Sequence, residues 1–195
     1  FPPAGTAVSC AVSGGPDSMA LMLLAHAHGL IVTAIHVDHG LRTESASDIN
    51  IIDPVAESLG ITVIVHTVQV EHGPNLEARA RAARYGVMPD DVMTGHTADD
   101  QAETILINLL RGSGTRGLAG MQPTTQRPLL HIRRSETQTL CNALGIAVFH
   151  DPSNNDERFQ RNRIRHEVLP LMESLAKRDL VPVLTRQADL LRDDD

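Results

Sequence analysis

The chain has 195 residues, enough to bury the core of one enzyme domain, and a formal net charge of −7, which argues against a generic nucleic-acid coat. Aromatics make up 2% of it, with no Trp, so the core must be built from Ala, Val, Leu, Ile and Met. No apolar run is long enough for a membrane span and no signal-peptide pattern opens the chain. Cys10 and Cys141 form neither a C-x-x-C pair nor a zinc spacing, so a reducing, cytoplasmic setting is expected.

Ala7–Val12 reads as a first strand, near-continuously apolar, with Cys10 inside it. Ser13-Gly14-Gly15-Pro16-Asp17-Ser18 follows, and Ser18–Ala27 then has helical periodicity. A strand, a two-glycine turn and a helix N-terminus direct several backbone N–H groups at one small volume, which suits a phosphate or pyrophosphate. This is not a Walker loop, because that motif needs a lysine and the chain's only lysine is Lys177. A glycine turn with Asp17 or Ser18 as an N-cap accounts for S-G-G alone. All six residues after a buried strand favour the anion cradle.

Strands are expected at Ile31–Val37, Ile61–Val68 and Val92–Thr94, and helices at Ser45–Leu59, Leu76–Tyr85 and Ala98–Leu110. This alternation predicts a doubly wound, Rossmann-like α/β domain with a parallel sheet covered on both faces. Ligands then bind beyond the carboxyl ends of the strands, where the polar motifs fall. His36-Val37-Asp38-His39-Gly40 ends the second strand. Asp38 is the best Mg²⁺ candidate, and His36 and His39 are either ligand-facing or hydrogen-bonded structural residues.

In Gly95-His96-Thr97-Ala98-Asp99-Asp100-Gln101-Ala102-Glu103-Thr104, the residues His96, Asp100 and Glu103 share a helix face. Thr97 as N-cap, with Asp99 and Asp100 on the positive helix end, explains part of the motif. Capping does not require Glu103. Two carboxylates at a nucleotide site can hold a cation, or bind and deprotonate an amine. On the preceding helix, Arg79, Arg81 and Arg84 are either surface residues, Glu77 pairing with Arg81, or reach phosphates.

After Leu110, Arg111–Gly117 is glycine-rich and not expected to be regular helix, and Arg127–Leu130 reads as extended. Ser135–Leu144 reads as a helix with Ser135 and Gln138 as a capping box. Pro152–Asp156 is a turn cluster, and Asn162–Leu175 and Val181–Leu191 are helical. Residues 1–100 carry 4 basic and 12 acidic groups, whereas residues 111–165 carry 9 arginines and 4 acids. This asymmetry points either to an anionic macromolecule or to a solvated face. Arg158, Arg161, Arg163 and Arg165, at a loop-to-helix junction, suit phosphate contacts on nucleic acid and a solvated basic helix start equally well.

SGGPDS resembles the PP-loop of N-type ATP pyrophosphatases. With HVDHGLR, NLEARARAARY, GHTADDQAET, LLRGSGTRGLAGM, RPLL and DPSNNDERFQRNRIRHEVLP in order, nearly the whole chain is similar to the tRNA(Ile)-lysidine synthetase family. The resemblance implies a bacterial ligase that uses ATP and Mg²⁺ to adenylate the wobble cytidine of a CAU-anticodon tRNA(Ile), then attaches L-lysine at C2. By it, Ser13, Gly14, Gly15, Pro16, Asp17 and Ser18 hold the phosphates, with His36 and Arg79 near the nucleotide. Asp38 and Asp17 hold Mg²⁺, Arg84 or Arg79 offsets charge on the α-phosphate, and Asp100 and Glu103 receive the lysine ammonium. Arg111, Arg116, Arg158, Arg161, Arg163 and Arg165 contact tRNA. The expected organisation is a catalytic domain over 1–150 and an arginine-rich, helical C-terminal extension over 151–195. The oligomeric state stays open, a homodimer included.

Two departures from the family pattern stand out. Only nine residues separate Tyr85 from Gly95, a segment shorter than is usual, and the chain ends without the further C-terminal domains common in the family. It is read as a compact version or a fragment. A tRNA thiolase on the same loop would call for paired cysteines, and a nucleotide-binding module without turnover would lack acids equivalent to Asp38, Asp100 and Glu103.

Overall fold

The computed structural model describes residues 1–38, 49–68, 76–149, 151, 154 and 156–193, and only the backbone of 76–78, 80 and 81. His39, the Glu77–Arg81 pairing and most of the 152–156 turn cluster lie outside the described residues. The described chain forms two compact units, Phe1–Gly95 with Ser135–Phe149, and His96–Arg134 with His150–Asp195.

The first unit holds a parallel sheet in the order β1 (Ala7–Ala11), β2 (Ile31–Asp38), β3 (Thr62–Thr67). Pairing runs from Ala7↔Ile31 to Ala11↔Ile35, and from Thr33↔Thr62 to Asp38↔Thr67. β2 is buried on both faces, as a central parallel strand should be. Its Ile35 and Val37 pack with Val68, Val92 and Ala83. β3 is the edge, with Ile64 and Val65 42% and 49% exposed, so the cover expected on both faces does not extend to it among the described residues.

Val92–Thr94 is not a full strand. Met93 makes one parallel bridge to β1, its N–H donating to Ser9 O at 2.8 Å and its carbonyl accepting from Ala11 N–H at 2.9 Å. The stretch is cut short because Val92 N–H turns back to Pro89 O at 3.1 Å, and Gly95 must pack tightly just beyond. Even so, the bridge puts residue 93 on the opposite side of β1 from β2. The chain order therefore reverses at β1, and the loop after β1 sits at this switch point.

α1 (Pro16–Ala27) begins two residues before the expected Ser18, because Pro16 at the first helical position has its φ preset and needs no amide partner. Met19, Ala20, Leu21, Met22 and Ala25 are fully buried, so the helix is a core element. α2 (Ile49–Ser58) buries Ile52 and Ala56. α3 (Leu76–Gly86) follows.

In the second unit, α4 (Ala98–Leu110) presents Ala98, Ala102 and Leu106, one face at four-residue spacing, to Ile164, Leu169, Leu180 and Val181. A helical turn, α5 (Thr115–Leu118), forms within the glycine-rich stretch, contrary to expectation, because Gly114 O accepts from the N–H groups of Gly117 and Leu118 at 3.0 and 3.1 Å. Arg127–Leu130 is a turn rather than extended, closed by Leu130 N–H on Arg127 O at 3.3 Å, with Leu129 and Leu130 buried.

α6 (Arg134–Ala143) starts one residue early, so Ser135 is inside the helix and not its cap. Gln138 donates forward to Asn142 Oδ1 at 3.1 Å instead of closing a capping box. The helix expected over 162–175 is α7 (Gln160–Arg163), a π-helical turn (Ile164–Val168) and α8 (Leu169–Ala176). α9 spans Val181–Asp193.

A Cβ on Gly95 would lie 2.7 Å from Asp17 O and 3.1 Å from Ser18 N. Gly95→Ala should therefore destabilise the chain by about 1–3 kcal/mol, the usual cost of overpacking against backbone. Chemical denaturation of the two proteins measures it.

Candidate active site

The loop after β1 is built by its own sequence. Gly14 has φ +80, a left-handed conformation that glycine adopts without strain. Ser13 N–H donates to Ser18 Oγ at 3.1 Å, and Ser18 Oγ donates to Gly15 O at 2.9 Å. With the Ser18 proton so used, the Ser13 hydroxyl 3.2 Å away donates to Ser18 Oγ. The turn closes on itself and leads into the α1 N-terminus, where the first amides of a helix lack intrahelical acceptors. Asp17 lies in that first turn.

Two tethers come from the sheet and from residues 135–149. Phe149 N–H donates to Gly14 O at 2.8 Å. His36, 4% exposed, places Nδ1 2.9 Å from Val12 O, and since a carbonyl only accepts, Nδ1 carries the proton. His36 therefore holds the end of β1 in place. Asp38, partly exposed at the carboxyl end of β2, keeps its backbone in register through Val68 N–H on Asp38 O at 2.8 Å. Arg79 and Arg84 are partly exposed on α3. Their five-residue separation puts them on different faces of that helix.

In the second unit Thr97 and Asp100 form a capping box. Asp100 Oδ2 accepts from Thr97 N–H at 2.8 Å and from Thr97 Oγ1 at 2.9 Å. The other oxygen of Asp100 accepts from Arg134 at 2.9 Å and Arg161 at 3.2 Å. Glu103, 1% exposed, is ringed by three guanidiniums: Arg134 at 3.1 Å, Arg161 at 2.6 Å and Arg165 at 2.7 Å. Burial pushes the Asp100 carboxyl up, but Arg134, Arg161, the Thr97 N–H and His96 together hold it below its ordinary value.

Asp99 is held similarly. Burial raises its pKa, and Arg133 with the Arg134 N–H more than offsets this, the latter donating at 2.8 Å. Arg133 also pairs with Asp179.

The arginines expected at RNA thus divide. Arg161 and Arg165 are spent on Glu103, Arg163 pairs with Glu167 at 3.0 Å, and Arg158 with Asp156 at 2.6 Å. Arg111 and Arg116 are exposed and hold no ion pair among the described residues. Sequence reasoning passed over Arg134 and Thr137. A basic pair, Arg133-Arg134, at a helix start opposes the helix dipole, which was a signal that other charges hold it there.

Among the described residues no three His, Cys, Asp or Glu side chains gather as a metal cluster. Mg²⁺ needs only one or two carboxylates besides phosphate oxygens and water, and the hard oxygens of Asp17 and Asp38 fit that demand.

Glu103→Gln should lower stability by about 3–5 kcal/mol, because it strips the charge partner from a buried cluster. Denaturant unfolding tests this. For Asp99, whose pKa is depressed below 3.8, the stabilisation is complete above that pH and lost as pH falls through the folded value. The Tm gap between native protein and Asp99→Asn should therefore be steady near neutrality and close below pH 3.8, as thermal melts across pH would record.

The PP-loop domain profile matches residues 3–172. The tRNA(Ile)-lysidine synthase of Mycolicibacterium paratuberculosis is 45% identical over 94% of this chain and 60% of its own length. That of Mycobacterium bovis is 45% identical over 95% of this chain and 60% of its own, and that of Thermobifida fusca 39% over 98% and 64%. The chain thus spans about three-fifths of the curated relatives it matches. Among solved structures, a U34-tRNA thiolase from Methanococcus maripaludis, described with its [4Fe-4S] cluster, superimposes with a TM-score of 0.75 at 17% identity, covering 97% of this chain and 73% of that one. That likeness concerns the fold. With its parallel sheet, its glycine turn at the switch point and a profile match over most of its length, the chain belongs to the PP-loop domain family.

Proposed function

We propose that this chain carries the catalytic unit of a tRNA(Ile)-lysidine synthase: an ATP-dependent ligase that joins L-lysine to C2 of the wobble cytidine in a CAU-anticodon tRNA(Ile), in the cytoplasm. One observation carries the reading. Every motif of the candidate site lies within a stretch 45% identical to enzymes of that name.

In this reading Ser13, Gly14, Gly15, Pro16, Asp17 and Ser18 bind the ATP phosphates through loop amides and hydroxyls. Asp38 and Asp17 hold Mg²⁺, which when bound neutralises phosphate charge. His36 keeps the loop anchored, and Arg84 or Arg79 offsets charge at the α-phosphate. Attack by the cytidine O2 on the α-phosphorus expels pyrophosphate. The ε-amine of lysine, its ammonium proton passed to Asp100 or Glu103, then attacks C2 of the adenylated cytidine and AMP leaves.

Asp100 and Glu103 take the lysine ammonium only if a guanidinium yields. Arg161 is the most exposed of the three, at 31%, and its 3.2 Å contact to Asp100 is longer than its 2.6 Å contact to Glu103. The ammonium therefore replaces Arg161 at Asp100, while Glu103 keeps its arginines. The tRNA is met first by Arg111 and Arg116, whose charges no carboxylate offsets among the described residues, with Arg158, Arg161, Arg163 and Arg165 contributing where their pairs open.

The thiolase alternative is disfavoured by both cysteines. They are buried, and burial pushes the Cys10 thiol up to about 12, far from a reactive thiolate.

Incubation with ATP, Mg²⁺, radiolabelled lysine and a CAU-anticodon tRNA transcript should put label into RNA, with AMP and pyrophosphate as products, and Asp17→Ala should stop it. Appearance of ADP and orthophosphate instead would sink the reading. In a salt series of tRNA affinities, Arg111→Ala with Arg116→Ala should flatten the log–log slope by about 1.4 units, at about 0.7 per lost single-strand contact. Parallel lines would remove both arginines from the RNA face.

A further inference from the structure

We infer that Thr137 is a positioning residue for the Asp17 carboxylate, and through it for magnesium–ATP, an inference that rests on the ATP reading above. Thr137 lies in the first half of α6, 120 residues beyond Asp17 in the chain, and is 1% exposed. Its Oγ1 donates to Asp17 Oδ1 at 2.5 Å.

Rotation of an aspartate carboxylate about its last torsion is soft, so an Asp in a first helical turn does not by itself aim its oxygens. A threonine is different, because its branched Cβ restricts χ1. A buried threonine hydroxyl is thus a fixed donor, and it sets which way Asp17 faces.

The same segment grips the loop twice more. Cys141 Sγ contacts Pro16 O at 3.6 Å, and Phe149 N–H donates to Gly14 O at 2.8 Å. Gly14, Pro16 and Asp17 are therefore held from residues 137–149, and the loop is not shaped by its local turn alone. Of these three grips only Thr137 acts on a side chain that can bind metal. The other two act on backbone carbonyls and fix where the loop runs.

A purely structural threonine would affect stability, or ATP affinity regardless of metal. A positioning threonine affects the part of ATP affinity that magnesium adds. Calorimetric titration of ATP into the chain separates the two, with Mg²⁺ in one series and excess EDTA in the other. Thr137→Val, which swaps hydroxyl for methyl, should bind ATP about tenfold more weakly with Mg²⁺, the scale of one lost hydrogen bond to a charged group, and match the native chain in EDTA. Thr137→Ser should restore the Mg²⁺-dependent affinity. In an Asp17→Asn background the valine substitution should have no further effect, because the group it positions is gone.

Thr137→Ala, which adds no methyl beside the carboxylate, gives the same comparison if the valine variant unfolds. Equal weakening with and without metal, no weakening, or full additivity with Asp17→Asn overturns the inference. A native chain that binds no ATP in either series overturns the ATP reading and this inference with it. A native chain that binds while Thr137→Val is unchanged overturns this inference alone.

Discussion

A buried carboxylate must be neutralised, and Glu103 is the one on which the second unit depends. Left alone at 1% exposure it would be costly to keep charged. Arg134 enters from the start of α6, and Arg161 and Arg165 from α7 and the π-helical turn. The turn matters here. Arg161 and Arg165 both reach Glu103 while Ile164 between them is buried in the α4 core and Arg163 points out to Glu167. One glutamate thereby ties together three chain segments distant in sequence. It also changes the meaning of the arginine run, because positive charges that look available to RNA are already engaged within the protein.

The first unit obeys a different constraint, the shape of backbone. A left-handed Gly14, two serine hydroxyls bonded across the loop and a proline-started helix leave amides where an anion would sit. Everything around it serves to keep that shape. His36 fixes the end of β1 from the neighbouring strand, Gly95 permits close approach to the Asp17 carbonyl, and Phe149 holds Gly14. These contacts explain why a histidine at a strand end can lie beside the glycine turn and still have its ring nitrogen committed to a carbonyl.

The strands, the loop and α4 were legible because their signals are local. Apolar runs, S-G-G-P and Thr97 with Asp100 act within a few residues of themselves. The parts that were not legible depend on distant partners. The capping box at Ser135 failed because Asp99, far back in the chain, takes the Arg134 N–H and so lets the helix begin earlier. The strand at 92–94 shrank to one bridge because Gly95 must meet α1. Arg161 and Arg165 had the same local signature as Arg111 and Arg116, and only tertiary pairing with Glu103 separates the two sets. Thr137 carried no mark at all, since a threonine among polar helix residues is ordinary until the fold puts Asp17 against it.

The likeness to a tRNA thiolase is one of fold, and the cysteines of this chain lend no support to sulfur chemistry. Sulfur transfer through protein needs a thiol that can ionise or ligate a cluster. Cys10 sits in the sheet with no exposure and a thiol pushed up to about 12, and Cys141 is raised too, by burial and by the charge of Asp17. Neither is placed to carry sulfur. An amine nucleophile asks for something else: carboxylates to hold it as a cation, and cations to balance those carboxylates before it arrives. The Asp100–Glu103–arginine cluster has carboxylates and balancing cations alike, with Arg161 the most exposed of its guanidiniums. The constellation that stabilises the second unit is thus the same one on which the proposed lysine site rests.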